Sequence, residues 1–363
     1  MKIVLIIFLS NFLYARSVHQ FFDAKSLLRE HTTKQLVDYI NELVKVSAPS
    51  RMLGLPGHSK AQEYILSVVR KNDPQISGKL IQSSYDFPVQ EMKNFYTEDF
   101  NQKIKSKLAP SHPEYAKWQR FTDYMVAYAD TLAQEKITNI VWQKEGLNSN
   151  KTLVIVAHYD TASHDPKTLT INKNEPMPGA NYNASGVSVA LSLVKVLAQL
   201  KLNYNVQVVF LDSQAFGFLG SKLHADELAK SKQEIMGVFN LEMLGQDSTY
   251  FDKTKQKGNL KLYYRPVDRE ERLARRVLDL GGKFSQKVQF SGLANNFENS
   301  DNFRYWEKDF NTLTFTQDWE NDFNPKFYQT KLDTPETLNH ETLYESFLYI
   351  GGTCLSILLD LTK

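Results

Sequence analysis

Hydrophobic and polar positions follow two different periodicities along the chain. Near the N-terminus, apolar residues recur at helical spacing over residues 24–46, and a second helix is predicted over about 59–70. Farther along, short β-branched runs predict strands at 137–141, 153–157, 206–211 and 235–241. Helical segments separate the later runs. This order predicts an α/β fold, with a mostly parallel twisted sheet covered by helices on both faces.

A polar and aromatic stretch interrupts this order between about residues 91 and 136. Its pattern predicts a helical insertion made of two helices, separated by Pro110 and Pro113. The aromatic residues of this stretch are Tyr96, Phe100, Tyr115, Trp118, Phe121, Tyr124 and Tyr128. Two interpretations stay open: the helices pack their aromatic side chains on the main body, or they form a recognition lid, because inserted segments often carry function.

The first residues have the pattern of an export signal. Met1 and Lys2 give a basic start, residues 3–14 are almost wholly apolar, and Ala15 offers a small residue for cleavage. A membrane anchor would need about 20 apolar residues, and this run ends at Arg16. We therefore expect residues 1–15 to be a signal peptide and residues 16–363 to form one domain. The mature protein is expected in the periplasm or outside the cell, with no membrane insertion.

Charge and cysteine content exclude several other classes. The chain has 43 Lys and Arg against 41 Asp and Glu, so the charge does not suggest nucleic acid as a partner. Cys354 is the only cysteine, which rules out an internal disulfide. It lies on an apolar helical stripe, where a core role is expected.

Polar motifs come directly after the predicted strands. They are His158-Tyr159-Asp160, the segment 179–186, the segment 212–221, Glu242-Met243-Leu244-Gly245 and the segment 324–330. In a parallel sheet, ligands bind outside the carboxyl ends of the strands. These motifs are therefore expected to converge on one site.

In their order and spacing, the motifs resemble those of the secreted zinc exopeptidases, which include bacterial leucyl aminopeptidases and share their phosphorylase/hydrolase-like fold with glutaminyl cyclases. The resemblance runs from about Arg51 to the C-terminus, apart from the insertion. It implies a pair of zinc ions that bind and activate a water molecule. Histidine and carboxylate ligands would hold the ions, one aspartate would bridge them, and a glutamate would act as general base.

Part of this machinery is present. By the resemblance, His158 is a metal ligand and Asp160 is the carboxylate that orients its imidazole. Glu242 stands where the family has an aspartate ligand, and it is still a carboxylate.

Four other positions have lost the expected chemistry. Tyr182 replaces the bridging aspartate, Gln214 the general base, Ala215 a glutamate ligand and Gln329 the last histidine. A neutral phenol, a methyl group and two amides are poor substitutes for anions and imidazole as zinc ligands. His164 and Asp165 lie in the adjacent loop, from which they could supply replacement ligands.

The substitutions predict no cofactor, or at most one weakly held zinc ion. They favour a pseudopeptidase, inactive or severely impaired, whose cleft binds peptide N-termini or an envelope protein. Two alternatives remain: an active aminopeptidase or glutaminyl cyclase-like enzyme with one zinc or rearranged ligands, and a purely structural role in a larger assembly.

Overall fold

A computed structural model describes residues 23–147, 150–162, 164–165, 168–247, 260–285 and 287–361. The α-helices are α1 (Thr33–Val46), α2 (Pro56–Asn72), α3 (Val89–Asp99), α4 (Pro113–Thr131), α5 (Ser185–Ala198), α6 (Leu219–Lys230), α7 (Asp268–Gly281), α8 (Asn302–Trp306) and α9 (His340–Leu358). The strands are β1 (Lys79–Asp86), β2 (Lys136–Lys144), β3 (Lys151–His158), β4 (Asn205–Leu211), β5 (Glu234–Leu241), β6 (Leu260–Tyr264), β7 (Phe290–Ala294) and β8 (Thr312–Gln317).

The eight strands form one mixed sheet in the order β1-β2-β4-β3-β5-β8-β6-β7. Its centre is parallel, because β3 pairs in parallel with both β4 and β5, and β5 pairs in parallel with β8. Strands β1 and β2 on one side, and β6 on the other, enter through antiparallel pairings. The carboxyl ends of β3, β4 and β5 therefore lie side by side.

Helices cover both faces of this sheet. Along β3, Ile155 and Ala157 belong to the larger hydrophobic core, while Val154 and Val156 face a second core on the opposite side. On the first face α5 is buried almost all round and contacts α1, α2 and α9. A strand buried on both faces reads as a continuous apolar run, which explains why the central strands were visible in the sequence.

The predicted fold class is confirmed, including N-terminal helices and the helical insertion. The stretch 24–46, predicted as helical throughout, is interrupted at residues 30–32, because Thr32 and Gln35 form a capping box that starts α1 there. All four predicted strands are observed, as β2, β3, β4 and β5. In the insertion, α3 continues through a π-helix (Phe100–Lys105), and α4 begins at Pro113. Proline is favoured at the first position of a helix because its missing N–H has no partner there.

The predicted signal peptide lies outside the described residues. Within the part of the chain that the structure describes, no helix is both long enough and apolar enough to span a membrane. Cys354 is buried in the core, as expected from its stripe.

Candidate active site

The end of β3 is tied to the turn after β4 by Asp160. Its carboxylate accepts hydrogen bonds from the backbone N–H groups of Gln214 (3.0 Å) and Ala215 (3.1 Å). His158 Nδ1 lies 3.5 Å from the same carboxylate and 3.2 Å from the Asp160 backbone oxygen. Burial acts to raise the pKa of Asp160, but His158 and the two N–H groups hold it below its usual value. Asp160 thus lies where it can orient the imidazole, the role that the resemblance implies for it.

Tyr182 and Gln214 meet at the floor of the site. The hydroxyl of Tyr182 donates a hydrogen bond to Gln214 Oε1. The Tyr182 ring packs edge to face against His158, with centroids 4.8 Å apart, and against Tyr328 at 5.0 Å. Burial raises the pKa of Tyr182 well above 10, so its phenol is neutral.

Glu242 lies fully buried beyond the end of β5. Ser300 donates a hydrogen bond to its Oε2, while its Oε1 has no hydrogen-bond partner among the described residues. His158 Nε2 is likewise buried without a partner. Burial raises the pKa of Glu242 to about 7, and the charge of Asp301 acts in the same direction. Asp301 is a further fully buried carboxylate in this region.

A buried arginine fixes the loops around this floor. Arg51 donates hydrogen bonds to the carbonyls of Tyr159 (2.6 Å), Pro178 (2.6 Å) and Gly179 (2.8 Å). Burial lowers the pKa of Arg51 to about 10, and the charge of Asp333 opposes the shift. The sequence marked residue 51 only as the start of the resemblance, because its partners lie more than 100 residues away.

Asp333 holds the segment that carries Tyr182. Its carboxylate accepts from the backbone N–H groups of Asn181 (2.8 Å) and Tyr182 (2.9 Å). Burial raises the pKa of Asp333 to about 6, and these two bonds act against the shift. The position of the phenol is therefore set by a residue far along the chain.

A cavity of about 420 Å³ opens above the floor. Tyr182, Gln214, Ala215, Tyr328 and Gln329 line its base. The insertion supplies most of its wall, through Phe95, Tyr96, Asp99, Phe100, Lys103, Ile104, Trp118, Phe121 and Thr122. The site that the motifs predicted is thus enclosed on one side by the helical insertion.

The structure brings together most of the residues that the sequence selected. Tyr182, Gln214, Ala215 and Gln329 share one cavity, and His158 contacts Tyr182. His164 also lines the cavity, with its ring 6.1 Å from that of Phe121. Among the residues with described positions, neither His164 nor Asp165 joins a metal-binding group with His158 and Glu242.

The sheet order and the strand-end motifs define a protein with the zinc aminopeptidase fold. A family model described as Peptidase family M28 matches residues 139–351. This match covers more than half of the chain, and the chain belongs to that family.

Curated relatives support the same assignment. Aminopeptidase YwaD of Bacillus subtilis is 25% identical over 195 residues, which are 53% of this chain and 38% of the relative. A "Probable zinc metalloprotease" of Pyrenophora teres f. teres is 26% identical over 113 residues, covering 31% of this chain and 23% of that protein. The matched part of the chain spans less than half the length of these curated relatives.

Solved structures share the fold over nearly the whole chain. An aminopeptidase from Aneurinibacillus sp. strain AM-1 superposes with a TM-score of 0.63 at 15% identity, covering 92% of this chain and 96% of the other. Glutaminyl cyclase from Bacteroides thetaiotaomicron superposes with a TM-score of 0.61 at 16% identity, covering 91% and 98%. At these identities the likeness establishes the fold alone.

The expectation of no cofactor, or at most one weakly held zinc ion, is wrong. The family match and the relatives named as zinc metalloproteases point to zinc-dependent enzymes. That expectation rested on the chemistry of single motif positions, whereas the family match extends over residues 139–351 as a whole.

The described side chains nevertheless do not fit a two-zinc centre. No group of three or more His, Cys, Asp or Glu side chains in the described part of the chain could hold a metal ion. Tyr182 and Gln214, which the resemblance assigns to the bridging aspartate and the general base, are a phenol and an amide that hydrogen-bond to each other. Family membership therefore indicates a zinc enzyme, whereas the side chains at the site do not fit a two-zinc centre. A measurement of peptide hydrolysis would decide between them.

Proposed function

We propose that this protein is an exported pseudopeptidase of family M28, which binds peptide N-termini in its cleft without hydrolysing them. The observation that carries the proposal is the hydrogen bond from Tyr182 to Gln214. In an active member of the class, these two positions would belong to the bridging ligand and the general base. In this protein Tyr182 and Gln214 form a hydrogen bond with each other, and both side chains are neutral.

The amide of Gln214 supports the loss of hydrolysis. A neutral amide does not accept a proton near neutral pH, and loss of a general base costs about 10²–10⁴ in rate. Tyr182 gives no compensation, because burial holds its pKa far above neutral pH and keeps it protonated. We therefore expect turnover to be absent even when zinc is supplied.

Retention of the cleft supports a binding role. The cavity combines aromatic walls with a few polar groups, which is the usual make-up of a ligand site, and its volume falls within the ordinary range for such sites. The loops around the floor remain anchored by Arg51 and Asp333. A peptide N-terminus is the ligand that this cleft would inherit from its family.

The proposal includes export to the periplasm or to the outside of the cell. The basic start and apolar run of residues 1–15 support it. Fractionation of cells that express the full chain, followed by N-terminal sequencing of the mature protein, tests this part. Retention of residues 1–15 on a cytoplasmic protein would overturn it.

Two measurements on the purified mature protein test the proposed function. Isothermal titration with short peptide amides should show saturable binding. Incubation of the same peptides with protein and added zinc should leave them intact, as followed by mass spectrometry. Cleavage of the first residue at an enzymatic rate would overturn the proposal.

One observation favours a second candidate, a zinc-dependent aminopeptidase or cyclase with rearranged ligands. His158 Nε2 and Glu242 Oε1 are buried without hydrogen-bond partners in the described structure. Unpaired buried donors and acceptors are costly, so such atoms often mark a ligand position. Zinc-dependent turnover that disappears in His158→Ala would establish this candidate.

A further inference from the structure

We propose that the cavity selects peptides whose first residue has an aromatic side chain, and that His164 forms a hydrogen bond with the bound peptide. This inference rests on the proposed function, because it names the class of peptide that the same cleft accepts. It assigns a specific task to the helical insertion, which the sequence left open between packing and recognition.

The wall of the cavity is an aromatic array built by α3 and α4. Tyr96 and Phe121 pack edge to face with centroids 5.7 Å apart, and Trp118 and Phe121 do so at the same distance. Phe95 meets Tyr96 in the same way at 5.2 Å. Aromatic rings favour such edge-to-face contacts with a further ring, so the wall suits an aromatic guest better than a flexible aliphatic one.

This wall is fixed directly to the floor of the site. The hydroxyl of Tyr96 donates a hydrogen bond of 3.1 Å to the backbone oxygen of Ala215. Ala215 stands at a lost ligand position and leaves only a methyl group there. A peptide seated on the floor would therefore place its first side chain against the insertion.

His164 supplies a polar group on the same cavity. Its Nε2 atom is buried and has no hydrogen-bond partner among the described residues, and its ring lies beside Phe121. Burial lowers the pKa of His164 to about 4, so the imidazole is neutral at physiological pH and carries one donor and one acceptor. A buried polar atom without a partner is costly, and a peptide N–H or carbonyl would satisfy it.

The insertion also holds the loop that carries His164. Ile171 pairs with His164 in a short β-bridge, and its backbone N–H donates a bond of 3.1 Å to the hydroxyl of Tyr124 on α4. The helix α4 therefore positions both the imidazole and the part of the aromatic wall formed by Trp118 and Phe121. This arrangement presents them together to a ligand.

Charge near the cavity complements a peptide amino group. Lys103 lies 2.7 Å from Asp99 and 3.9 Å from Glu298, so two carboxylates surround one ammonium group. Asp99 and Lys103 both line the cavity. The remaining negative charge favours the free α-ammonium group of a peptide over an acetylated terminus.

Isothermal titration tests the inference with three tripeptide amides, in each of which two alanines follow the first residue. Their first residues are phenylalanine, leucine and glycine, and a fourth peptide is the acetylated phenylalanine form. We expect the phenylalanine peptide to bind at least about tenfold more tightly than the glycine peptide, because it buries an aromatic ring. The leucine peptide should fall between them, and acetylation should weaken binding.

Two kinds of variant distinguish the contribution of the aromatic wall to peptide binding from that of the His164 imidazole. Trp118→Ala and the milder Phe121→Leu should reduce the preference for phenylalanine over glycine. His164→Phe should weaken every peptide by a similar factor, about 3- to 10-fold, since one hydrogen bond is lost. Tyr344→Ala, which removes a partly buried aromatic residue of α9 outside the cavity, is the control and should bind like the unchanged protein.

Different results would overturn different claims. Equal affinity for the phenylalanine and glycine peptides, or a preference untouched by both wall variants, overturns this inference and leaves the proposed function standing. Absence of binding by every peptide overturns the proposed function together with the inference. Thermal unfolding of each variant identifies any loss of fold, and Phe121→Leu keeps the test valid if Trp118→Ala does not fold.

Discussion

The hydroxyl of Tyr182 donates a hydrogen bond to the side-chain oxygen of Gln214. The pair joins the segment before α5 to the turn after β4. Neither side chain ionises near neutral pH, so the floor of the cleft carries no charge at these positions. The resemblance assigns these positions to the bridging ligand and the general base, and in the proposed pseudopeptidase a structural bond takes the place of both roles.

Loss of this bond should lower stability. Tyr182→Phe keeps the ring packed against His158 but leaves Gln214 Oε1 buried without its donor. An unsatisfied buried acceptor costs about 1–3 kcal/mol. Urea unfolding should therefore show a decrease of that size, whereas Tyr344→Phe on α9 should have little effect. Equal stability of Tyr182→Phe and the unchanged protein would argue against the bond.

Arg51 should be among the most sensitive residues of the site. Arg51→Met leaves three backbone carbonyls without donors and removes the positive charge near Asp333. We expect a loss of more than about 3 kcal/mol in the free energy of unfolding, as for other broken buried ionic networks. Arg51→Lys keeps the charge but not the planar fork of donors, so its loss should be intermediate. A loss below 1 kcal/mol for Arg51→Met, measured by urea unfolding, would contradict this view.

His224 should contribute to acid sensitivity. It is buried between Tyr305 and Gln207, and burial lowers its pKa from 6.5 to about 4. Between these two values the unfolded chain binds a proton that the folded protein does not. Stability should therefore fall as the pH falls through this window, by about 1.4 kcal/mol per pH unit from this residue.

The variant His224→Gln isolates this effect. It has no imidazole to protonate, so the difference in unfolding free energy between the unchanged protein and the variant should shrink as the pH falls from 7 to 5. Urea unfolding at pH 7, 6 and 5 measures the difference. A difference that stays constant with pH would show that His224 is not buried in its neutral form.

Introducing the side chains that the resemblance implies should raise the affinity for metal. The fourfold variant Tyr182→Asp, Gln214→Glu, Ala215→Glu and Gln329→His returns anionic and imidazole donors to the positions implied by the resemblance. We expect its zinc content, measured by mass spectrometry of the dialysed protein, to rise above that of the unchanged chain. Gln214→Glu alone restores no ligand and is the control. No difference in zinc content among the three proteins would mean that the positions were wrongly assigned.

The sequence predicted the centre of the sheet better than its margins. Strands β3 and β4 are buried on both faces and therefore read as continuous apolar runs. β8 is just as buried, but it alternates threonine with leucine and phenylalanine, so its hydrophobic signal is weaker. β7 lies at the edge of the sheet, and its exposed positions gave no pattern to detect.

For the site, the sequence predicted which side chains lie at strand ends but not the directions in which they point. It selected His158, Asp160 and Gln214 because each follows a predicted strand, and the three lie close together in the structure. It could not show that Tyr182 points at Gln214, because that contact depends on Asp333, about 150 residues farther along the chain. The sequence also could not predict the wall of the cavity, because a run of aromatic residues has the same pattern whether it packs in a core or lines a cleft.

Hydrolysis of leucine p-nitroanilide by the purified mature protein, with zinc supplied and metal content measured on the same sample, decides between a pseudopeptidase and an active enzyme. We expect a rate indistinguishable from that of the protein-free control, whatever the zinc content. Chelator-sensitive turnover in the ordinary enzymatic range, about 1–10³ s⁻¹, would contradict it.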